Sequence, residues 1–416
     1  MAKHTQAELI QWQRMDLNLK VAMTKARIRG WVNEYGTDGV YVAFSGGKDS
    51  TVLLDIVRSE YPEVPAIFVD TGLEYPEIRE FALSFDNVEK VKPKMNFRQV
   101  IEKYGYPMIS KEVSECVYGA KKYLTSVAEE LSLGRQTDRQ TDRQTDHIRT
   151  SITSYVDKAS IQKLSRGGQI TSIVNSEELA NILKRDKGKK STMRLAKLTG
   201  MLTTDNQMMA NIPEKDRSMF SQEKWKFLLD APFDISHLCC NVMKKAPSHS
   251  YSKRTGRKVM TAEMACESRL RTQQWLRNGC NGFDLDVPKS TPMAFWTEQD
   301  VLKYIKEHNL SICSVYGDIV IDSNKEKQLE GQTSLADILP FDMDRPLKTT
   351  GCSRTGCMFC GFGCHLEKEG EGRFELMKKT HPKQYDYIMR PKEQGGLNYK
   401  EVIDWINEHG NTNIRY

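Results

Sequence analysis

The stretch Tyr41-Val42-Ala43-Phe44-Ser45-Gly46-Gly47-Lys48-Asp49-Ser50 constrains this chain more than any other, because an apolar run stops at two glycines and resumes as Thr51-Val52-Leu53-Leu54-Asp55-Ile56-Val57. The first half has the length and content of a buried parallel strand, and the second carries apolar residues at helical spacing. The glycines therefore occupy a strand-to-helix turn. There the first helical amides point outward and the helix dipole adds partial positive charge, which suits a phosphate or sulfate. Gly46 and Gly47 let the backbone close on an anion, Ser45 and Ser50 add hydroxyl donors, Lys48 adds a full charge, and Asp49 can orient the loop or a metal. The Walker spacing Gly-x-x-x-x-Gly-Lys-[Ser/Thr] is absent.

A second apolar strand, Val64-Pro65-Ala66-Ile67-Phe68-Val69, ends in Asp70-Thr71-Gly72-Leu73-Glu74-Tyr75-Pro76-Glu77, with Pro76 suited to the first turn of a helix through Ile78 and Phe81. Two strands, each followed by a helix and each ending in a polar loop, predict an α/β fold with a doubly wound parallel sheet and ligands at its carboxyl edge. A third strand is expected at 88–93 and a helix from Phe97 to Lys103. Lys111, in the loop Tyr104 to Lys111, is a further candidate for the anion site. Upstream, residues 7–35 carry helical periodicity and read as packing helices.

At 416 residues the chain exceeds one typical domain. With 39% hydrophobic and 28% charged residues it reads as a soluble globular protein, and a net charge of +6 permits an anionic partner without demanding one. No signal-peptide pattern opens the chain and no run reaches the roughly 18 apolar residues of a membrane span, so a cytoplasmic protein is expected. In that compartment ten cysteines speak for metal or redox chemistry rather than disulfides.

From about residue 124 the composition turns polar. Gln136-Thr137-Asp138-Arg139, Gln140-Thr141-Asp142-Arg143 and Gln144-Thr145-Asp146 form a tandem repeat unable to bury a core. Lys184-Arg185-Asp186-Lys187-Gly188-Lys189-Lys190, then Arg194 and Lys197, are basic, either as a solvated face or as a contact for a polyanion such as a nucleic acid. The expected organisation is an N-terminal helical segment (1–37), a core carrying the anion loop in two parts (38–123 and 223–348), a polar, mostly helical insertion (124–222), and a Cys-rich segment with terminal helices (349–416).

Two cysteine groups remain: Cys239-Cys240, and Cys352-Ser353-Arg354-Thr355-Gly356-Cys357-Met358-Phe359-Cys360-Gly361-Phe362-Gly363-Cys364-His365. Thiolates close in sequence, completed by a second pair, can hold one metal centre. Cys116, Cys266, Cys280 and Cys313 are isolated and read as buried small apolar residues.

Ser-Gly-Gly-Lys-Asp-Ser resembles the PP-loop of the adenine nucleotide α-hydrolase-like superfamily. Paired with Asp-Thr-Gly-x-x-x-Pro-Glu, it is similar to the phosphoadenylyl-sulfate and adenylyl-sulfate reductase branch. The resemblance covers roughly 38–122 and 223–375. It implies an adenine nucleotide held by Ser45, Gly46, Gly47, Lys48, Asp49 and Ser50, with Asp70, Thr71 and Gly72 lining the pocket and Arg269 and Arg271, in Glu263-Met264-Ala265-Cys266-Glu267-Ser268-Arg269-Leu270-Arg271, as anion clamps. It further implies a [4Fe–4S] cluster on Cys239, Cys240, Cys357 and Cys360, with Cys352 and Cys364 as alternates, and an architectural helix beginning at Thr297-Glu298-Gln299-Asp300-Val301.

One family feature is missing. The reductases attack sulfur with a cysteine on a carboxyl-terminal tail, and here no cysteine follows Cys364. Cys364-His365 is the only local echo of that nucleophile, joining Lys48 and Asp49 as catalytic candidates. Three functions stay open: sulfonucleotide reduction with a thioredoxin-like donor; ATP-dependent sulfur transfer of the DNA phosphorothioation or tRNA thiolation type, with Mg²⁺ and a cysteine desulfurase; or a non-catalytic nucleotide-binding accessory.

Overall fold

The computed structural model describes residues 3–137, 190–200, 221–323 and 345–416. In chain order its strands are β1 (Val40–Ala43), β2 (Ala66–Val69), β3 (Val88–Val91), β4 (Met108–Ile109), β5 (Lys258–Met260), β6 (Asn281–Gly282), β7 (Lys289–Ser290), β8 (Ile319–Ile321), β9 (Leu347–Thr349) and β10 (Gly361–Phe362). The chain divides into two compact units. The first comprises Met1–Asn96 and Val242–Met358, and the second Phe97–Asn241 and Phe359–Tyr416.

The first unit is built on a six-stranded sheet ordered β3-β2-β1-β5-β7-β6. All neighbours are parallel except β6 and β7, so the expected parallel sheet carries an antiparallel edge. From β1 the chain moves outward to β2 and β3 on one side and later adds β5 and the β6–β7 hairpin on the other, which places the switch point between β1 and β5. Strand β1 is almost wholly apolar and its residues Val40, Tyr41 and Val42 are buried, as a strand covered on both faces requires.

Helix Lys48–Arg58 leaves β1 at the glycines and buries Val52, Leu53, Ile56 and Val57. Helices Leu17–Tyr35 and Glu298–Glu307 pack on it. Among them lie Trp31, Phe295 and Trp296, all fully buried, with the Trp296 indole N–H donating to Thr24 Oγ1 at 2.9 Å. Pro76 does open helix Pro76–Leu83, and Thr297 caps Glu298–Glu307 in a capping box with Asp300. Antiparallel β8 and β9 form a separate small sheet.

The second unit is mainly helical, with β4 and β10 paired in parallel. Its helices are Phe97–Tyr104, Lys111–Thr137, Lys190–Thr199, Arg373–Thr380, Pro382–Met389 and Tyr399–Gly410. Helix Lys190–Thr199 lies against Lys111–Thr137, where Gly119 leaves room for the Arg194 side chain. Arg194 pairs with Glu115, and Lys197 with Glu112 at 2.6 Å. These two basic residues are thus engaged within the unit. The repeat from Asp138 onward and the basic run from Lys184 to Lys189 lie outside the described residues.

The compact units cut across the organisation expected from sequence, dividing the 38–123 segment after Asn96 and the 349–416 segment after Met358. The physical reason is local. Strand β3 is the last segment before residue 97 that the large sheet takes up, whereas Phe97, Val100 and Ile101 of the next helix are buried and Phe97 meets Phe359 at 5.9 Å in the second unit. Among the described residues no helix is long and apolar enough to cross a membrane.

Candidate functional site

The glycine turn sits where the sequence puts it, at the carboxyl end of β1. Gly46 has φ +72°, a left-handed backbone that glycine adopts without strain. A Cβ there would come within 2.9 Å of the Ile78 carbonyl and 3.1 Å of Ala82 Cβ, so helix Pro76–Leu83 can approach the loop only because position 46 is glycine.

The loop's donors are closed on one another. Ser45 N–H donates to Ser50 Oγ at 3.1 Å, the Ser45 and Ser50 hydroxyls are 3.0 Å apart, and Ser50 Oγ donates to the Gly47 carbonyl at 2.9 Å. The Lys48 amide, first of its helix, donates to the Tyr316 hydroxyl at 3.1 Å, which in turn shares a hydrogen bond with Thr355 Oγ1 at 3.0 Å. Burial pushes the Tyr316 phenol upward, keeping that hydroxyl neutral.

Lys48 is buried, and its ammonium lies 3.3 Å from Asp49 Oδ1, 3.3 Å from Glu298 Oε1 and 3.2 Å from the Ser353 carbonyl. Its Nζ also stands 5.8 Å from the Tyr316 ring centroid. The cation is thus held at the loop by two carboxylates that an incoming anion would rival.

Beside the loop opens a cleft of about 210 Å³ at the carboxyl ends of β1 and β2. Ala43, Phe44, Ile67, Phe68, Val69 and Ile78 give it apolar walls, while Ser45, Glu74, Lys244, Ser248 and Thr355 supply polar groups. An apolar slot ending at an anion loop can seat a flat heterocycle with its charged end on Ser45 and Lys48.

Asp70 and Thr71 are engaged inside their own loop. Asp70 accepts from Arg79 Nε at 3.0 Å, and Thr71 donates through its hydroxyl to Glu74 at 2.7 Å, while Gly72 turns at φ +72°. Glu74 faces Lys244 at 3.8 Å. Lys111 belongs to the second unit, where it is exposed.

Helix Arg269–Asn278 is capped by Ser268. Arg269 is exposed, and Arg271 pairs with Glu267 and borders a different cleft, of about 230 Å³, with Glu263 and Lys289. That second cleft has none of the phosphate-loop residues in its walls.

In the second unit Cys239 and Cys364 are buried and Cys240 and Cys360 half-buried, while Cys352 and Cys357, also half-buried, belong to the first. The hydroxyl of Tyr399, wholly buried, donates to the Phe359 carbonyl at 2.6 Å. Its pKa is raised by burial first and then by Cys360, Cys239, Tyr106 and Cys364, so three of the cysteines are its neighbours. Among the described residues no three His, Cys, Asp or Glu side chains converge as one metal ion requires. A single zinc would need sulfurs about 2.3 Å from one centre, whereas a four-iron cluster spreads its thiolates farther apart.

Burial drives the Cys364 thiol well above its ordinary pKa, and its Sγ contacts the Cys360 carbonyl at 3.6 Å. A thiol held protonated in an enclosed site is a poor nucleophile, which works against the catalytic role considered for it. Of the four cysteines read as isolated and buried, Cys116, Cys280 and Cys313 are buried, but Cys266 is exposed and rests its Sγ 3.4 Å from the Trp296 carbonyl.

Sequence reasoning missed four contributors to the loop: Glu298, Tyr316, Thr355 and the Ser353 carbonyl. Glu298 was visible only as a first-turn acid of a capped helix. The others carry no local signal, since Tyr316 and the Ser353 carbonyl reach Lys48 from more than 250 positions away and Thr355 acts on it only through Tyr316.

Residues 39–123 and 192–361 match the family model of the phosphoadenosine phosphosulfate reductase domain. An adenosine 5'-phosphosulfate reductase of Geobacillus kaustophilus is 33% identical over 86 residues, which cover 21% of this chain and 33% of that protein. An uncharacterised protein of Methanocaldococcus jannaschii is 37% identical over 73 residues, covering 16% and 18% respectively. The chain therefore spans a third or less of these relatives' length. A crystal structure of phosphoadenylyl-sulfate reductase from Candida auris, in a phosphate complex, aligns over 74% of this chain and 90% of its own at 13% identity and a TM-score of 0.30.

Proposed function

The chain belongs to the phosphoadenosine phosphosulfate reductase domain family, and on that premise we propose that it binds a sulfonucleotide, adenylyl sulfate or phosphoadenylyl sulfate, and reduces its sulfonate. The observation that carries this is the pairing of an apolar cleft at the ends of β1 and β2 with a buried lysine on the adjoining anion loop. The adenine would lie between Phe44, Val69 and Ile78. The charged end would meet the Ser45 and Ser50 hydroxyls and Lys48, whose present counter-ions are the Glu298 and Asp49 carboxylates.

We carry forward the [4Fe–4S] cluster with the ligands its motif names, Cys239, Cys240, Cys357 and Cys360. In favour of thiolate donors, two of these ligands, Cys239 and Cys360, together with the alternate Cys364, act on the buried Tyr399 hydroxyl, which donates to the carbonyl that precedes Cys360. When bound, such a cluster, a 2+ core on four thiolates, would supply a polarisable and redox-capable group. Protein purified without oxygen is expected to absorb broadly in the visible blue, with Cys357→Ser removing the band. Colourless wild-type protein carrying one zinc would overturn the assignment.

A second function has one observation in its favour: Cys364, the cysteine considered as nucleophile, is enclosed and its pKa is raised by burial, which works against attack on sulfur. In this alternative the loop takes ATP and Mg²⁺, adenylates a target such as a nucleic acid, and passes on sulfur from a cysteine desulfurase. Parallel incubations decide between the two. With a thioredoxin-like donor, adenylyl sulfate should yield sulfite and ATP should yield no pyrophosphate. Pyrophosphate without sulfite would overturn the reduction proposal.

A further inference from the structure

The glycine turn is short of free donors. Ser50 gives its hydroxyl proton to the Gly47 carbonyl at 2.9 Å, so in the 3.0 Å contact between the two serines Ser45 is the donor. The Lys48 amide donates to the Tyr316 hydroxyl at 3.1 Å. Both serine hydroxyls and the first helical amide are thus engaged, and a preset hydroxyl donor has to come from outside the loop.

Thr355 is placed to be that donor. An amide can only donate, so the Tyr316 oxygen is the acceptor toward Lys48, and the proton that the phenol retains under burial needs an acceptor of its own. Tyr316 is 2% exposed, and the one other hydrogen-bond partner of its hydroxyl among the described residues is Thr355 Oγ1, 3.0 Å away. Tyr316 therefore donates and Thr355 accepts, which leaves the threonine proton directed away from Tyr316. Thr355 is half-buried and lines the nucleotide cleft together with Ser45.

Three hydroxyls gather at this point. A Cβ on Gly47 would stand 3.2 Å from Tyr316 Oη, 3.3 Å from Ser45 Oγ and 3.7 Å from Thr355 Oγ1, so the three oxygens surround one place above the loop. Gly47 has φ −78°, where any residue is at ease, and its missing side chain therefore serves that space and not the backbone. The segment that brings Thr355 also presents the Ser353 carbonyl to the Lys48 ammonium at 3.2 Å, so one stretch of chain fixes both the cation and the hydroxyl.

We propose that Thr355 donates its hydroxyl proton to the 5′-phosphate of the bound nucleotide, with Tyr316 as the positioning residue that holds it in that orientation, an assignment that rests on the nucleotide reading of the cleft given above. The phosphate is the first charged group beyond the ribose of any adenylate seated in the apolar slot. AMP therefore makes the whole of the contact and adenosine none of it. No covalent bond forms or breaks, and the contact adds affinity for the anion alone.

Calorimetry on the full-length protein with AMP, adenosine and adenylyl sulfate tests this, with thermal melting as the control for folding. Thr355→Val should weaken AMP binding by roughly 10-fold or more, the size of a hydrogen bond to a charged group, and leave adenosine binding unchanged. Thr355→Ser, which keeps the hydroxyl, should bind AMP as the wild type does, and Thr355→Ala replaces the valine variant if the branched side chain does not pack. Tyr316→Phe should also weaken AMP binding but add no loss to Thr355→Val, since without the threonine hydroxyl nothing is left to orient. Tighter AMP binding by Tyr316→Phe would mean that the phenol blocks the Lys48 amide, and overturns the proposal. So does a Thr355→Val protein that binds AMP as the wild type does, or one that loses adenosine and AMP alike; either leaves the sulfonucleotide reading standing. A wild type that binds neither AMP nor adenylyl sulfate overturns that reading and the assignment with it.

Discussion

Lys48→Ala is expected to weaken adenylyl sulfate binding by roughly 10- to 150-fold, the about 1.5–3 kcal/mol of a hydrogen bond to a charged group. The loss comes from two sources. The ammonium no longer meets the anion, and Glu298 and Asp49, each now 3.3 Å from Nζ, are left to repel it. The double variant Lys48→Ala/Glu298→Gln should therefore bind more tightly than Lys48→Ala alone. Calorimetry on both proteins, with thermal melting as the control for folding, provides the measurement. Unchanged affinity in Lys48→Ala would remove the nucleotide from this loop.

A larger effect on stability is expected at a site that sequence gave no reason to notice. Lys20 Nζ donates to both Asp300 carboxylate oxygens at 2.7 Å and to the Gln13 carbonyl at 2.7 Å, with the lysine side chain 2% exposed and the aspartate's 10%. The same carboxylate caps its helix by accepting from the Thr297 amide at 2.7 Å. Lys20→Met strands a buried charge and should cost about 3–5 kcal/mol. It should appear as a lower denaturation midpoint at unchanged slope. Adding Asp300→Asn should cost much less than the sum of the two single changes, since the partners act on one interaction. A loss below about 1 kcal/mol in Lys20→Met would mean that water reaches the pair.

The two sites differ in how visible they were beforehand. Ser45 to Ser50 could be read as an anion loop because strand, glycines and helix are contiguous, and local periodicity reports local structure. Pro76 and Thr297 could be placed at helix starts for the same reason. Arg271 was named as an anion clamp from its motif, yet it borders another cleft and pairs with Glu267, because helix phase and neighbours decide where a side chain ends. Cys313 read as a buried packing thiol and is 1% exposed, whereas Cys266, read the same way, is exposed, because its place in the short turn Ala265–Glu267 and not its residue type sets its burial.

The linear chain therefore determined the α/β class, the parallel strands and the loop at the end of β1, since each follows from residues that are neighbours along the backbone. Only the tertiary structure decided that Glu298 reaches Lys48, which tyrosine caps its amide and where the compact units divide. Those depend on contacts between residues hundreds of positions apart, fixed by burial and by the hydrogen bonds that buried groups must make, and no window of sequence encodes them.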